Sequence, residues 1–283
     1  MSLQKNAVLV KLTISQWDGF KKDARAANRV DQEFKTTGSS GNYNKRLLDK
    51  AVLHPIHSIS GRIRAEHARL TLPWCYDGVA ILPTKLFFTY TEIMRGLTDE
   101  FDTAVLNLIQ QYPIHKASAL LALGDLFNPD DYPDQDALLD RFQVSQRFFP
   151  VPESNHFIVD LEAEDSAKMK STLEKELVAT QGVAAEALYS RVREVADRIY
   201  ERLIEPKAIF RDSLIENALK LTTILPGMNI FNDAFLAQLC SELELWVTQY
   251  PPDVLRTDPE IRQQVAEAAF DILVMIDTHR KGS

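Results

Sequence analysis

Three histidines and a cluster of acids are the residues whose types and spacing could do chemistry. His54-x-x-His57 and the later Glu66-His67 could gather three imidazoles around a zinc ion, provided the chain between them folds back. Pro55 stands against a regular helical face joining the first two, and histidines commonly pack or cap without binding metal. Asp125, Asn128, Asp130, Asp131, Asp134 and Asp136 concentrate hard oxygen ligands suited to Ca2+ or Mg2+. Their spacing lacks the central Gly and terminal Glu of a calcium loop, and prolines among Asp and Asn usually make capped turns. There is no Gly-rich phosphate loop ending in Lys-Ser/Thr, no Gly-x-Gly-x-x-Gly, no Gly-x-Ser-x-Gly elbow and no Cys-x-x-Cys pair. The sequence therefore predicts a protein that works by binding, with no catalytic residue, no cofactor and no metal.

Charge says more about what is bound. The net charge is -8, yet residues 1–70 hold thirteen Lys and Arg against six Asp and Glu, so this segment is +7 and the remainder -15. The basic segment is interleaved with Trp17, Phe20, Phe34 and Tyr43, which is what contact with phosphates combined with base stacking requires. The expected nucleic-acid-binding residues are Trp17, Phe20, Lys21, Lys22, Arg25, Arg29, Tyr43, Lys45, Arg46, Arg62 and Arg64. Single strands suit them better than duplex, because stacking needs open bases. The rival is that these cations dock internally on Asp99, Glu100, Asp102 or the 125–136 loop. A protein-interaction module, with the acidic body as its working face, is the alternative function.

Elements must position these groups. Ala7–Ile14 alternates with the period of a half-buried strand, and a helix opening at Ser15 or Asp18 and running to about Phe34 would carry Lys21, Lys22, Arg25 and Arg29 as one cationic strip. Thr36-Thr-Gly-Ser-Ser-Gly41 reads as a mobile loop. A second basic helix spans about 44–70, kinked or broken at Pro55 and Gly61. Asp77-Gly78 marks a turn between short apolar strands, and a long helix follows from Pro83 to Tyr112, closed by Pro113. A short apolar helix is expected over 117–126 and another near 137–142. Val144–Phe149 and His156–Leu161 look like a hairpin that joins the first strand and the 75–81 segment in a small sheet.

The remainder reads as helices over about 163–180, 182–205, 207–225, 232–249 and 259–279. Leu188, Val192, Val195, Ile199 and Leu203 form a heptad-like stripe, which Phe210, Leu214, Ala218, Leu221 and Leu225 continue beyond Pro206. Bundle packing accounts for such stripes, and so does self-association; the apolar surface they offer predicts a homo-oligomer. The fold class is thus α+β, predominantly helical, with a small antiparallel sheet and a C-terminal helical bundle. Its expected parts are a basic segment 1–72, a mixed middle 73–162 and the bundle 163–283. With 283 residues, 45% hydrophobic and 25% charged, the chain fits one large or two small globular domains. No apolar run approaches a membrane span and the start lacks a secretory signal, so the expected location is the cytoplasm, with no membrane partner. Cys75 and Cys240 are expected as free thiols there.

Certain segments also resemble a known family. They are Gln16-Trp17-Asp18-Gly19-Phe20-Lys21-Lys22-Asp23, Leu72-Pro73-Trp74 with Gly78-x-x-Ile81-Leu82-Pro83, Gly124-Asp125-Leu126-Phe127-x-x-x-Asp131-Tyr132-Pro133, Phe149-Pro150-Val151-Pro152 and Phe210-Arg211-Asp212-Ser213-Leu214-x-Glu216-Asn217. Together they resemble an uncharacterised phage and prophage protein family of similar length, over nearly the whole chain. That family has no assigned activity and no catalytic residues to carry over. Its genes occur in phages that often encode a MoxR-type AAA+ ATPase or a VWA-domain protein. The resemblance implies a phage context, hence DNA metabolism or host takeover.

Overall fold

The alternation of Ala7–Ser15 produces strand β1 after a single helical turn, α1 (Leu3–Asn6). The structure, a computed structural model, describes residues 3–152, 163–206 and 208–282. Next come β2 (Phe20–Lys22), α2 (Ala24–Glu33), β3 (Asn44–Arg46), α3 (Lys50–Leu70), β4 (Leu72–Pro73), β5 (Ala80–Pro83) and α4 (Phe87–Leu123). They are followed by α5 (Gln135–Leu139), β6 (Gln143–Pro150), α6 (Ala163–Leu203), α7 (Ser213–Met228), α8 (Ala234–Glu242), α9 (Pro252–Thr257) and α10 (Pro259–Gly282). The class is α+β with helix dominating and a four-stranded sheet in the order β4-β5-β1-β6. The strand expected over 156–161 lies outside the described residues. Among those described, no helix is long and apolar enough to cross a membrane.

The chain forms two compact units that interleave along the sequence. One comprises Met1–Lys11, Leu70–Thr89 and Arg147–Ser283. In it, β1 pairs antiparallel with β5 from Ala7↔Pro83 to Val10↔Ala80, and the expected turn is made with Gly78 at φ +72. Both Leu9 and Val10 are buried, so the start of β1 is covered on two faces and not half-buried as the alternation predicts. Helix α6 continues through Gly182, and its stripe Leu188, Val192, Ile199 and Leu203 is buried in the unit, with α10 along it and α7 beside it. The heptad-like spacing at these four positions is therefore bundle core, with Val195 of the same stripe half-buried. Arg262 of α10, also buried, closes the end of α6: its guanidinium donates to the carbonyls of Leu203 (3.0 Å), Arg202 (2.9 Å), Glu205 (2.6 Å) and Ala208 (2.9 Å). The Arg202 and Leu203 carbonyls, in the last turn of α6, lack intrahelical donors, while the Glu205 carbonyl beyond it also accepts the Ala208 N–H at 3.1 Å; a cation also suits the negative end of the helix dipole.

The other unit comprises Leu12–Arg69 and Tyr90–Gln146. Helices α3 and α4 run antiparallel through it, tied by Arg62 to Glu100 at 2.5 Å and by His67 Nδ1 to the Tyr90 hydroxyl at 2.9 Å. Leu53, Ile56 and Ile63 of α3 and Leu97, Phe101, Val105, Leu108 and Tyr112 of α4 are buried. Pro113 does not end its helix, contrary to the expectation from sequence, and α3 is not broken at Pro55 or Gly61. A proline in a helix costs about 3 kcal/mol, and the buried residues on both sides of each proline offset it. Both prolines sit on the exposed side, and the Ile109 carbonyl, which Pro113 leaves without its helical donor, accepts from Gln135 Nε2 at 2.8 Å instead.

Candidate nucleic-acid interface

The first helix expected from sequence begins later than its apolar pattern suggests. Asp18 Oδ1 accepts the Phe20 N–H at 3.0 Å and Gly19 takes φ +69, so the chain turns and enters β2 as an extended strand. The positive φ favours glycine there, and a Cβ would in addition press on Leu53 Cδ1 at 2.8 Å, so that side chain would have to shift. Strand β2 pairs antiparallel with β3 in the register Phe20↔Arg46, Lys21↔Lys45, Lys22↔Asn44. One further rung closes each end, Leu47 N–H to Gly19 O at 2.8 Å and Asp23 N–H to Tyr43 O at 2.9 Å. Lys21 and Lys22 thus lie on a strand, not on the helix with Arg25 and Arg29.

Asp23 then starts α2, its Oδ1 accepting from Arg25 N–H (3.0 Å) and Ala26 N–H (3.1 Å) as an N-cap. Arg25 and Arg29 follow one turn apart on that helix and both are exposed. The loop expected to be mobile is tied back to α2. Asp31 accepts from the Thr36 hydroxyl (3.0 Å), the Ser40 N–H (3.2 Å) and the Ser40 hydroxyl, and these bonds, the Ser40 hydroxyl first, hold its carboxyl below the usual range.

Lys45 is the anchor of this module. Its Nζ reaches Asp131 at 2.6 Å, Asp23 at 3.0 Å and the Leu126 carbonyl at 2.7 Å, and its side chain is 1% exposed. Burial opposes the Lys45 charge, but the bonds to Asp131 and Asp23 more than compensate and raise its pKa. The Asp23 carboxyl is held low, first by the Ala26 N–H and then by Lys45. Lys45 therefore binds no phosphate; it joins the β2–β3 ribbon to the 126–131 turn. Next to it, the Tyr132 hydroxyl donates to Leu47 O at 2.8 Å, and burial pushes that phenol up to about 12.

The expected site residues separate into two groups. Phe20, Lys21, Lys22, Arg25, Arg29, Tyr43 and Arg46 are all exposed on the segment 19–47, with Arg46 4.6 Å over the Phe20 ring. Phe20, Lys22 and Arg46 share one face of the ribbon by their register. Phe34 is exposed beyond the end of α2. The remaining four differ. Trp17 is buried edge-on against Tyr112, with centroids 6.3 Å apart, so it has no free face for a base. Lys45 is buried. Arg62 is spent on Glu100, and Arg64, exposed on the same α3, donates to Ser60 Oγ at 3.4 Å. Internal docking thus claims Lys45 and Arg62, while Lys21, Lys22, Arg29 and Arg46 form no ion pair among the described residues and Arg25 only a 3.9 Å contact with Asp23.

Neither metal reading finds support in the geometry. His67 is engaged with Tyr90 and its pKa is lowered by burial, while Asp131 pairs with Lys45 and Asn128 caps the next turn by accepting Asp130 N–H at 3.2 Å. Among the described residues no three His, Cys, Asp or Glu side chains are grouped as a metal ion would need. No protein-family model matches the chain, and neither a curated protein nor a solved structure is found similar to it.

Proposed function

We propose that the ribbon and helix of residues 19–47 bind single-stranded nucleic acid, as an accessory of phage-type DNA metabolism. The observation that carries the reading is the exposure of Phe20 and Tyr43 among Lys21, Lys22, Arg25, Arg29 and Arg46, with those cations largely unneutralised. Cations spaced along an extended ribbon follow a phosphate backbone, and exposed rings between them offer stacking faces that tolerate any base. Fluorescence polarisation with a labelled oligonucleotide at about 50 mM salt tests this. Single strands should bind more tightly than duplex, and Phe20→Ala with Tyr43→Ala should weaken binding about tenfold. Absence of binding to either form refutes the reading.

A second reading, a protein-interaction module such as an adaptor of an AAA+ ATPase or an inhibitor of a host factor, is favoured by one feature of the other unit. Leu245 and Trp246 are exposed on a π-helical turn, Leu243–Val247, and Trp is enriched among the residues that carry most of the binding energy at protein interfaces. A second copy of the chain is one such partner, read by light scattering. A partner retained after nuclease treatment and lost in Trp246→Ser would put this reading first.

A further inference from the structure

A cavity of about 350 Å3 opens beside Arg46, where the end of β3 and the start of α3 meet the last turns of α4. Its lining is mostly apolar: Leu47, Leu48, Val52 and Ala119, with Ala122 and Leu123 on the α4 side. Leu47 and Leu48 are fully buried, and the Leu47 backbone is fixed on both sides, by its N–H to Gly19 O and its carbonyl from Tyr132. Polar groups stand at the rim: Arg46, Asp49, His115 and Ser118. Asp49 uses one oxygen to accept the Ala51 N–H at 2.8 Å, and His115 makes no hydrogen bond to a described residue.

We propose that this cavity takes one unstacked base of the single strand whose backbone runs along the ribbon, with the adjoining phosphate on Arg46; the inference rests on the proposed function above. Three features select a base over other ligands. The volume lies at the small end of the range for small-molecule pockets, enough for a single ring system. The mostly apolar lining with donors and acceptors confined to the rim matches a flat group with apolar faces and polar edges. Arg46 belongs both to the cavity mouth and to the cationic ribbon, so one guanidinium reaches the phosphate that connects the two.

The test compares the unmodified chain with Ala122→Leu, which adds bulk to the α4 wall of the cavity at an exposed position. Each is titrated with a mixed-sequence single strand and with the same backbone lacking bases. Ala122→Leu should bind the complete strand about tenfold more weakly, bind the abasic strand as the unmodified chain does, and keep the same salt dependence. Equal affinity of both proteins for the complete strand overturns the inference and leaves the ribbon reading standing. No binding of either strand by the unmodified chain defeats the ribbon reading itself, and the inference with it. The second measurement needs no variant: adding 5′-deoxyadenosine monophosphate at millimolar concentration to the unmodified chain should shift the His115 ring resonances. Unchanged resonances overturn the inference.

Discussion

Replacing Lys45 by Met keeps the unbranched stem of the side chain and removes the ammonium group. The variant leaves the Asp23 and Asp131 carboxylates, 5% and 13% exposed, facing each other without the ammonium that lies 3.0 Å and 2.6 Å from them. It also strands the Leu126 carbonyl, which now accepts from Lys45 at 2.7 Å. Breaking a buried pair by removing one partner costs about 3–5 kcal/mol, or roughly 10–20 °C in the melting temperature of a unit this size. The sign of the pH dependence follows from the shifts. Asp23 is held low, so its contribution is full above the ordinary carboxylate value of about 3.9 and is lost as pH falls through the lower folded value. Lys45 is held high, so its contribution is full below about 10.4 and is lost as pH rises through the higher folded value. The gap between unmodified chain and Lys45→Met should therefore be flat across neutral pH and close both in acid and in strong base. Adding Asp131→Asn to the variant should restore part of the loss. Thermal melts followed by circular dichroism decide the matter: a Lys45→Met variant within about 1 kcal/mol of the unmodified chain would refute the anchoring role.

Arg262→Ala should destabilise the other unit by about 3 kcal/mol, seen as a lower midpoint in urea, because it removes the donor from the Arg202 and Leu203 carbonyls at the end of α6. Leu188→Asp, which buries a carboxylate in the α6 stripe, should abolish the near-ultraviolet signal of folded packing at neutral pH and not merely change an association equilibrium. Gly19→Ala should cost about 2 kcal/mol by thermal melt, from the left-handed backbone and the contact with Leu53.

Long-period features were legible in the sequence. The apolar stripes of α4, α6 and α10 predict helices, β1 follows from its alternation, and Asp77-Gly78 turns as expected. Helix ends were not legible where tertiary packing outweighed a local penalty, as at Pro55 and Pro113. The region 17–34 misled because Phe20-Lys21-Lys22 fits the cationic face of a helix as well as it fits a strand. The local clues against the helix were Gly19 and the N-cap Asp23, which break the apparent period at either end of β2. Burial of Lys45 had no local signal at all. Asp23 and Asp131 are brought to it by β2–β3 pairing and by the docking of the 126–131 turn, so only the folded chain reveals that this cation is internal. Trp17 carried a weaker clue: among ring residues Trp has the most apolar surface to bury, and Tyr112 of α4 covers it.

The salt dependence of single-strand binding tests the central claim most directly. Five exposed cations, Lys21, Lys22, Arg25, Arg29 and Arg46, should give a slope of log K against log salt of about -3.5 at roughly 0.7 per phosphate. Changing Lys21, Lys22, Arg25 and Arg29 to Glu should abolish binding at about 50 mM salt while the melting temperature stays within a few degrees, since none of the four is buried. No binding by the unmodified chain at that salt, or a quadruple variant that binds with the original slope, would contradict the account.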